Sequence, residues 1–151
     1  MVTLEPVTPA NLDDALALEL APGQEHLVRP VATSLAEAYV HPDVAWPRLV
    51  VDESVVVAFV MAFVDTAWED DPRDVRSGLW RLNVDRAHQG RGYGRFAVLA
   101  VCDELRRRGA DACYVTYHLG PGTPGPFYRR LGFEVTGETS GDQIVARLAL
   151  G

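Results

Sequence analysis

The chain reads Leu79-Trp80-Arg81-Leu82-Asn83-Val84, then Gln89-Gly90-Arg91-Gly92-Tyr93-Gly94, then an amphipathic run from Arg95 to Arg108. An apolar run, a glycine-rich turn and an amphipathic run in that order predict strand, turn and helix. This is the arrangement of a backbone anion site. Glycine admits positive φ and lets a ligand approach the backbone closely. The first turn of a helix leaves its N–H groups unpaired and aimed at whatever lies before it. The expected ligand is a phosphate or a pyrophosphate.

Upstream, Val2–Val7 reads as a first strand, and Thr8-Pro9-Ala10-Asn11 offers caps for a helix reaching Leu20. A second helix is expected from Leu27 or Val31 to Tyr39, closed by His41-Pro42. Trp46–Val51 and Val55–Val64 read as a hairpin around Asp52-Glu53-Ser54. Residues 65–74 hold five acids, one arginine and a proline, and read as a loop. Downstream of the helix that Gly109 ends, Ala112–His118 reads as a strand, followed by a Gly/Pro-rich segment over 120–126. A short helix Phe127–Leu131 and two closing strands, Phe133–Thr136 and Gln143–Leu150, complete the pattern. The order β α α β β β α β α β β predicts one mixed α/β domain over 1–151.

Three phosphate motifs compete for the glycine turn. A P-loop needs Gly-Lys-Ser/Thr, and all fourteen basic residues here are arginine. A dinucleotide fingerprint needs G-x-G-x-x-G and an acid ending the next strand. Here the spacing is G-x-G-x-G and that strand ends at Tyr117-His118. The third pattern, Gln/Arg-x-x-Gly-x-Gly/Ala, is met by Gln89, Gly92 and Gly94.

One strand further on stands Phe127-Tyr128-Arg129-Arg130-Leu131-Gly132-Phe133. With the glycine turn, this segment resembles the paired motifs of the GNAT superfamily of acyl-CoA N-acyltransferases. A finer similarity, to the bacterial spermine/spermidine acetyltransferase branch, rests on Gln24 and Val28, Ser34-Leu35-Ala36-Glu37-Ala38, Trp80-Arg81-Leu82 and Ile144-Val145-Ala146-Arg147-Leu148. The resemblance implies a mostly antiparallel mixed sheet, splayed between strands 4 and 5 and flanked by about four helices. It also implies acetyl-CoA as cosubstrate, no metal, a ternary complex, and often a homodimer.

On this resemblance the pyrophosphate lies on the amides of Gln89, Gly90, Arg91, Gly92, Tyr93, Gly94 and Arg95, and the pantetheine arm pairs with Leu82, Asn83 and Val84. A backbone N–H near Val84 would serve the thioester oxyanion. Tyr128 is the expected general acid toward the leaving thiolate. The base is open among His118, Glu37, Asp85 and a water. One departure stands out: where many relatives carry a cofactor-contacting asparagine, this chain has Pro121.

Hydrophobic residues at 48% and charged residues at 23% describe an ordinary globular chain. No apolar run reaches the ~20 residues of a membrane helix. No secretory pattern opens the sequence, and Cys102 and Cys113 have no metal spacing, so a cytoplasmic protein with reduced core thiols is expected. A net charge of −7 argues against nucleic acid and suits a cationic small substrate. The acidic 65–74 segment with Trp68 would draw in a polycation, or is a solvated turn. The expected acceptor is a primary, polyamine-like amine. Amino-sugar antibiotics and protein N-termini are alternatives, as is a non-catalytic acyl-CoA-binding regulator.

Overall fold

A computed structural model describes residues 1–24 and 27–151. Its centre is one seven-stranded sheet in the order β1-β2-β3-β4-β5-β7-β6. The strands are β1 (Val2–Glu5), β2 (Ala45–Asp52), β3 (Val55–Ala67), β4 (Val75–Val84), β5 (Ala112–Tyr117), β6 (Glu134–Ser140) and β7 (Gln143–Ala149). The helices are α1 (Leu12–Leu16), α2 (Val31–Val40), α3 (Tyr93–Arg107) and α4 (Gly125–Arg130). Every neighbouring pair is antiparallel except β4–β5. The expected mixed, mostly antiparallel sheet with four helices is therefore what the chain forms.

β3 shows why the sheet is covered on both faces. Its side chains alternate, as strand geometry requires. Ala58, Val60, Ala62 and Val64 join a core beneath α3, whereas Phe59 and Met61 join one beneath α1 and α2. Helix α3 supplies Ala97, Val98, Val101, Cys102 and Leu105, one apolar stripe at helical spacing, all fully buried. Each fully buried Val or Leu contributes about 1.5–3 kcal/mol. Cys102 and Cys113 are free and buried within the same core.

Two expectations are corrected. The first helix ends at Leu16 rather than Leu20. Beyond it the chain docks on the end of β4: the Glu19 N–H donates to Asp85 Oδ1 at 2.9 Å, and the Arg86 N–H donates to the Glu19 carbonyl at 2.8 Å. Those bonds are incompatible with a continuing helix. The 65–74 segment is also less of a loop than its acids imply. β3 runs on to Ala67 and pairs with Val75, and a short 3-10 turn at Trp68–Asp70 closes the hairpin.

Among the described residues no helix is long and apolar enough to cross a membrane.

Candidate active site

β4 and β5 run parallel but pair at one position, Gly78 opposite Tyr114. A Cβ on Gly78 would lie 2.0 Å from the Tyr114 carbonyl oxygen, so the two backbones meet only because this residue is glycine. Beyond that point Met61 pairs with Arg81 and Ala62 with Leu79, which leaves Trp80 as a bulge in β4. A bulge bends its strand, and here it accompanies the parting of β4 from β5. The gap is a cleft of about 1390 Å³, bounded on the α3–α4 side by the glycine turn and Tyr128 and on the α2 side by Arg29, Trp80 and Arg81. It therefore passes through the sheet.

The free edge of β4 carries backbone groups into this cleft. The Asp85 N–H donates to the Val57 carbonyl at 2.9 Å. Antiparallel alternation then turns the peptide groups of Arg81, Asn83 and Asp85 toward β3, and those of Leu82 and Val84 toward the gap. The Gln89 Nε2 donates to that exposed Val84 carbonyl at 3.2 Å and to Gln24 Oε1 at 3.1 Å. Gln89 thus ties the turn to the segment before α2.

At the start of α3, Gly92 is the N-cap at φ 85° and no side chain caps the helix. Gly90 and Gly92 have open space where a Cβ would stand. The first-turn amides are thus presented to an open, cradle-shaped surface, which fits a pyrophosphate. The Tyr93 hydroxyl donates to Asp52 Oδ2 at 2.5 Å, and this bond raises the phenol's pKa above its ordinary value. Gln89, Gly90, Gly92, Tyr93, Gly94 and Arg95 line the cleft.

Two expected cofactor contacts are not part of the cleft wall. Arg91 is exposed on the turn. Asn83 is 3% exposed and turned away, its Nδ2 donating to the Arg29 carbonyl at 3.0 Å. A strand alternates its faces, so three consecutive residues cannot all serve one edge.

Tyr128 is 6% exposed, with its ring stacked on Tyr117 at 5.6 Å and edge-on to Phe127 and Phe133. Burial pushes its pKa well above the ordinary value. It lines the cleft, and among the described residues its hydroxyl makes no hydrogen bond.

The base candidates separate clearly. His118 lines the cleft at the end of β5, its Nδ1 3.7 Å from Asp142 Oδ2. That leaves Nε2 free. Asp85 caps the turn after β4, accepting from the Glu19 and Ala87 amides. Glu37 is paired with Arg81 at 2.9 Å. Neither carboxylate lines the cleft. Asp142 was not singled out by the sequence, where it reads only as half of a Gly-Asp turn.

The acidic hairpin is also occupied. The Arg76 guanidinium lies 4.7 Å from the Trp68 ring and 4.4 Å from that of Tyr114, and it pairs with Asp74 at 2.9 Å and Glu138 at 2.7 Å. Trp68 therefore already has its cation. In the Gly/Pro-rich segment Gly122, Thr123 and Pro124 reach the cleft wall and Pro121 does not. Among the described residues no group of His, Cys, Asp and Glu could hold a metal ion.

A family model described as acetyltransferase (GNAT) family matches residues 14–133. A search among curated proteins gives no match. Similar solved structures include an acetyltransferase from Thermus thermophilus, 22% identical with a TM-score of 0.73, over 98% of this chain and 96% of that one. Another is a PaiA N-acetyltransferase from Thermoplasma acidophilum in complex with coenzyme A, 12% identical with a TM-score of 0.71, over 99% of both chains. A third is the ribosomal-protein-S18-alanine N-acetyltransferase of Escherichia coli, 18% identical with a TM-score of 0.70, over 100% and 95%. At these identities the likeness is one of fold.

Proposed function

The chain belongs to the acetyltransferase (GNAT) family, and on that premise we propose that it moves acetyl from acetyl-CoA to a primary amine by direct attack within a ternary complex. The observation that carries this reading is the cleft between β4 and β5, which joins the open N-terminus of α3 to an unpaired strand edge and to the unbonded hydroxyl of Tyr128.

The amides of Gly92–Arg95 bind the pyrophosphate and the helix dipole adds to their pull. The gap-facing groups of Leu82 and Val84 bind the amide-bearing pantetheine arm as a partner strand would. The Val84 N–H is the donor for the carbonyl oxygen as it gains charge. His118 Nε2 takes the proton that the acceptor ammonium must lose. As the new N–C bond forms and the C–S bond breaks, the Tyr128 O–H gives its proton to the departing thiolate, and the phenolate recovers the second proton, which the nitrogen sheds in becoming an amide. Burial keeps the Tyr128 phenol protonated, so its O–H is available as a hydrogen-bond donor to the thiolate, while the same raised pKa makes it a weaker acid.

A polyamine acceptor receives less support than the reaction itself. Among the described residues no carboxylate lines the cleft, so its ammonium groups have no anionic partner there. The test is an amine panel followed by release of CoA thiol. Turnover of any amine that falls sharply in Tyr128→Phe supports the reading. If acetyl-CoA binds and no amine is acetylated, the chain is an acyl-CoA-binding module.

A further inference from the structure

In a chain with 21 acidic and 14 basic residues, the described wall of the cleft contains arginines and no acid. Arg95 and Arg130 stand at the α3–α4 end, where a pyrophosphate already accounts for positive charge. Arg29 and Arg81 stand at the opposite end, beside Trp80, where phosphate chemistry offers no explanation. Arg29 is held through its backbone and Arg81 through its side chain. The buried Asn83 amide donates to the Arg29 carbonyl at 3.0 Å, which fixes the segment before α2 against β4. Arg81 donates to Glu37 at 2.9 Å and to the Trp80 carbonyl at 3.2 Å.

Arg29 is exposed to solvent and has no ion pair among the described residues. The Arg81 Nε is buried without a hydrogen-bond partner. A buried donor without an acceptor is costly, and a guanidinium is suited to a planar oxyacid. Resting on the acetyl-transfer reading above, we infer that the acceptor is an amino acid-like molecule whose carboxylate is bound by Arg29 and Arg81, with its amine pointing through the gap toward the thioester. The charge count selects a carboxylate over a phosphate. Glu37 already neutralises Arg81, so the described arginines and acids at this end of the cleft sum to one net positive charge, which matches a monoanion.

The test compares amines that differ by one carboxylate: lysine against cadaverine, and phenylalanine against phenethylamine. Phosphoethanolamine is the phosphate arm. Transfer is followed by CoA release, and binding to the CoA-loaded protein by calorimetry. The acid of each pair should show kcat/KM roughly tenfold to hundredfold above its decarboxylated partner, as expected for one charged hydrogen-bonded contact. Arg29→Gln should bring that ratio toward one through KM, and Arg29→Lys should restore part of it. Preference for cadaverine, preference for phosphoethanolamine, or a ratio indifferent to Arg29→Gln overturns the inference. If the acids bind in an Arg29-dependent way and no amine is acetylated, the carboxylate site stands and the transfer reading falls. If acetyl moves equally to both members of each pair, transfer stands and the carboxylate site falls.

Discussion

Gly78 and Tyr114 are, among the described residues, the only pair joining the two halves of the sheet, and they approach so closely that the Tyr114 carbonyl oxygen occupies the space of a Gly78 side chain. The Phe63 ring closes the other side, 2.8 Å from the same Cβ position. Because two of the three obstructing atoms are backbone, rotamer changes cannot relieve the clash. Gly78→Ala should cost about 1–3 kcal/mol as an overpacked site, seen as a fall of about 3–10 °C in thermal unfolding. An unchanged midpoint would mean that the strands can part freely and that Gly78 does not set the cleft.

Tyr128→Phe preserves the aromatic stack with Tyr117 and Phe133 and removes only the hydroxyl. If that hydroxyl protonates the thiolate, kcat should drop by roughly 10²-fold or more, with calorimetric affinity for CoA unchanged. Stability gives a second readout. Burial raises the folded-state pKa, so the stabilisation is complete below the unfolded value near pH 10 and is lost as pH rises toward the folded one. Alkaline unfolding above about pH 10 should therefore be shallower in the variant. Equal alkaline curves for the two proteins would contradict the burial argument.

Gly92 caps α3 at φ 85° with nothing near its missing Cβ, whereas a Cβ on Gly94 would meet the Phe127 ring at 3.4 Å and Val84 Cγ2 at 3.6 Å, both ordinary contacts. Gly92→Ala therefore costs backbone strain of about 1–2 kcal/mol and puts a methyl group on the anion cradle. KM for acetyl-CoA should rise severalfold. Gly94→Ala should fold normally, with a much smaller rise. The reverse order of effects would show that the phosphates do not rest on Gly92.

What the sequence made legible was what local chemistry encodes. The glycine turn, the helix after it and the Phe127–Phe133 segment each have short-range patterns, and the chain forms them close to the expected boundaries. Contacts between distant residues left no such pattern. The Asp85 side chain that ends the first helix early lies 66 positions from Glu19. Gly78 is one of 13 glycines, and nothing beside it in sequence announces the Tyr114 carbonyl. The 65–74 segment looks like solvated acid because Arg76, which neutralises part of it, bridges to Glu138 on another hairpin.

That bridge can be measured. The Arg76 side chain is 9% exposed and Glu138 is 44% exposed, so solvent screens the carboxylate end. A double-mutant cycle with Arg76→Met and Glu138→Gln should give a coupling of no more than about 1 kcal/mol. Arg76→Met alone should cost more than the coupling, because the two rings also lose their cation. The hydrogen bond from Arg76 lowers the pKa of Glu138, so its contribution is present at neutral pH and fades below about pH 4.5. Coupling of unchanged size at pH 7 in about 1 M salt would argue against an ionic origin.

His118 meets the cleft at the point where β5 ends, and its Nδ1 faces Asp142 while Nε2 stays free. The opposed nitrogens define the test. If Nε2 accepts the proton of the incoming ammonium, His118→Gln should lower kcat/KM by roughly 10²-fold. Asp142 is 85% exposed, so it orients the ring without strong electrostatic coupling. Asp142→Asn should cost far less than His118→Gln. A kcat/KM that survives His118→Gln unchanged would assign the proton to a water held at the cleft mouth, because Glu37 and Asp85 are both engaged outside the cleft.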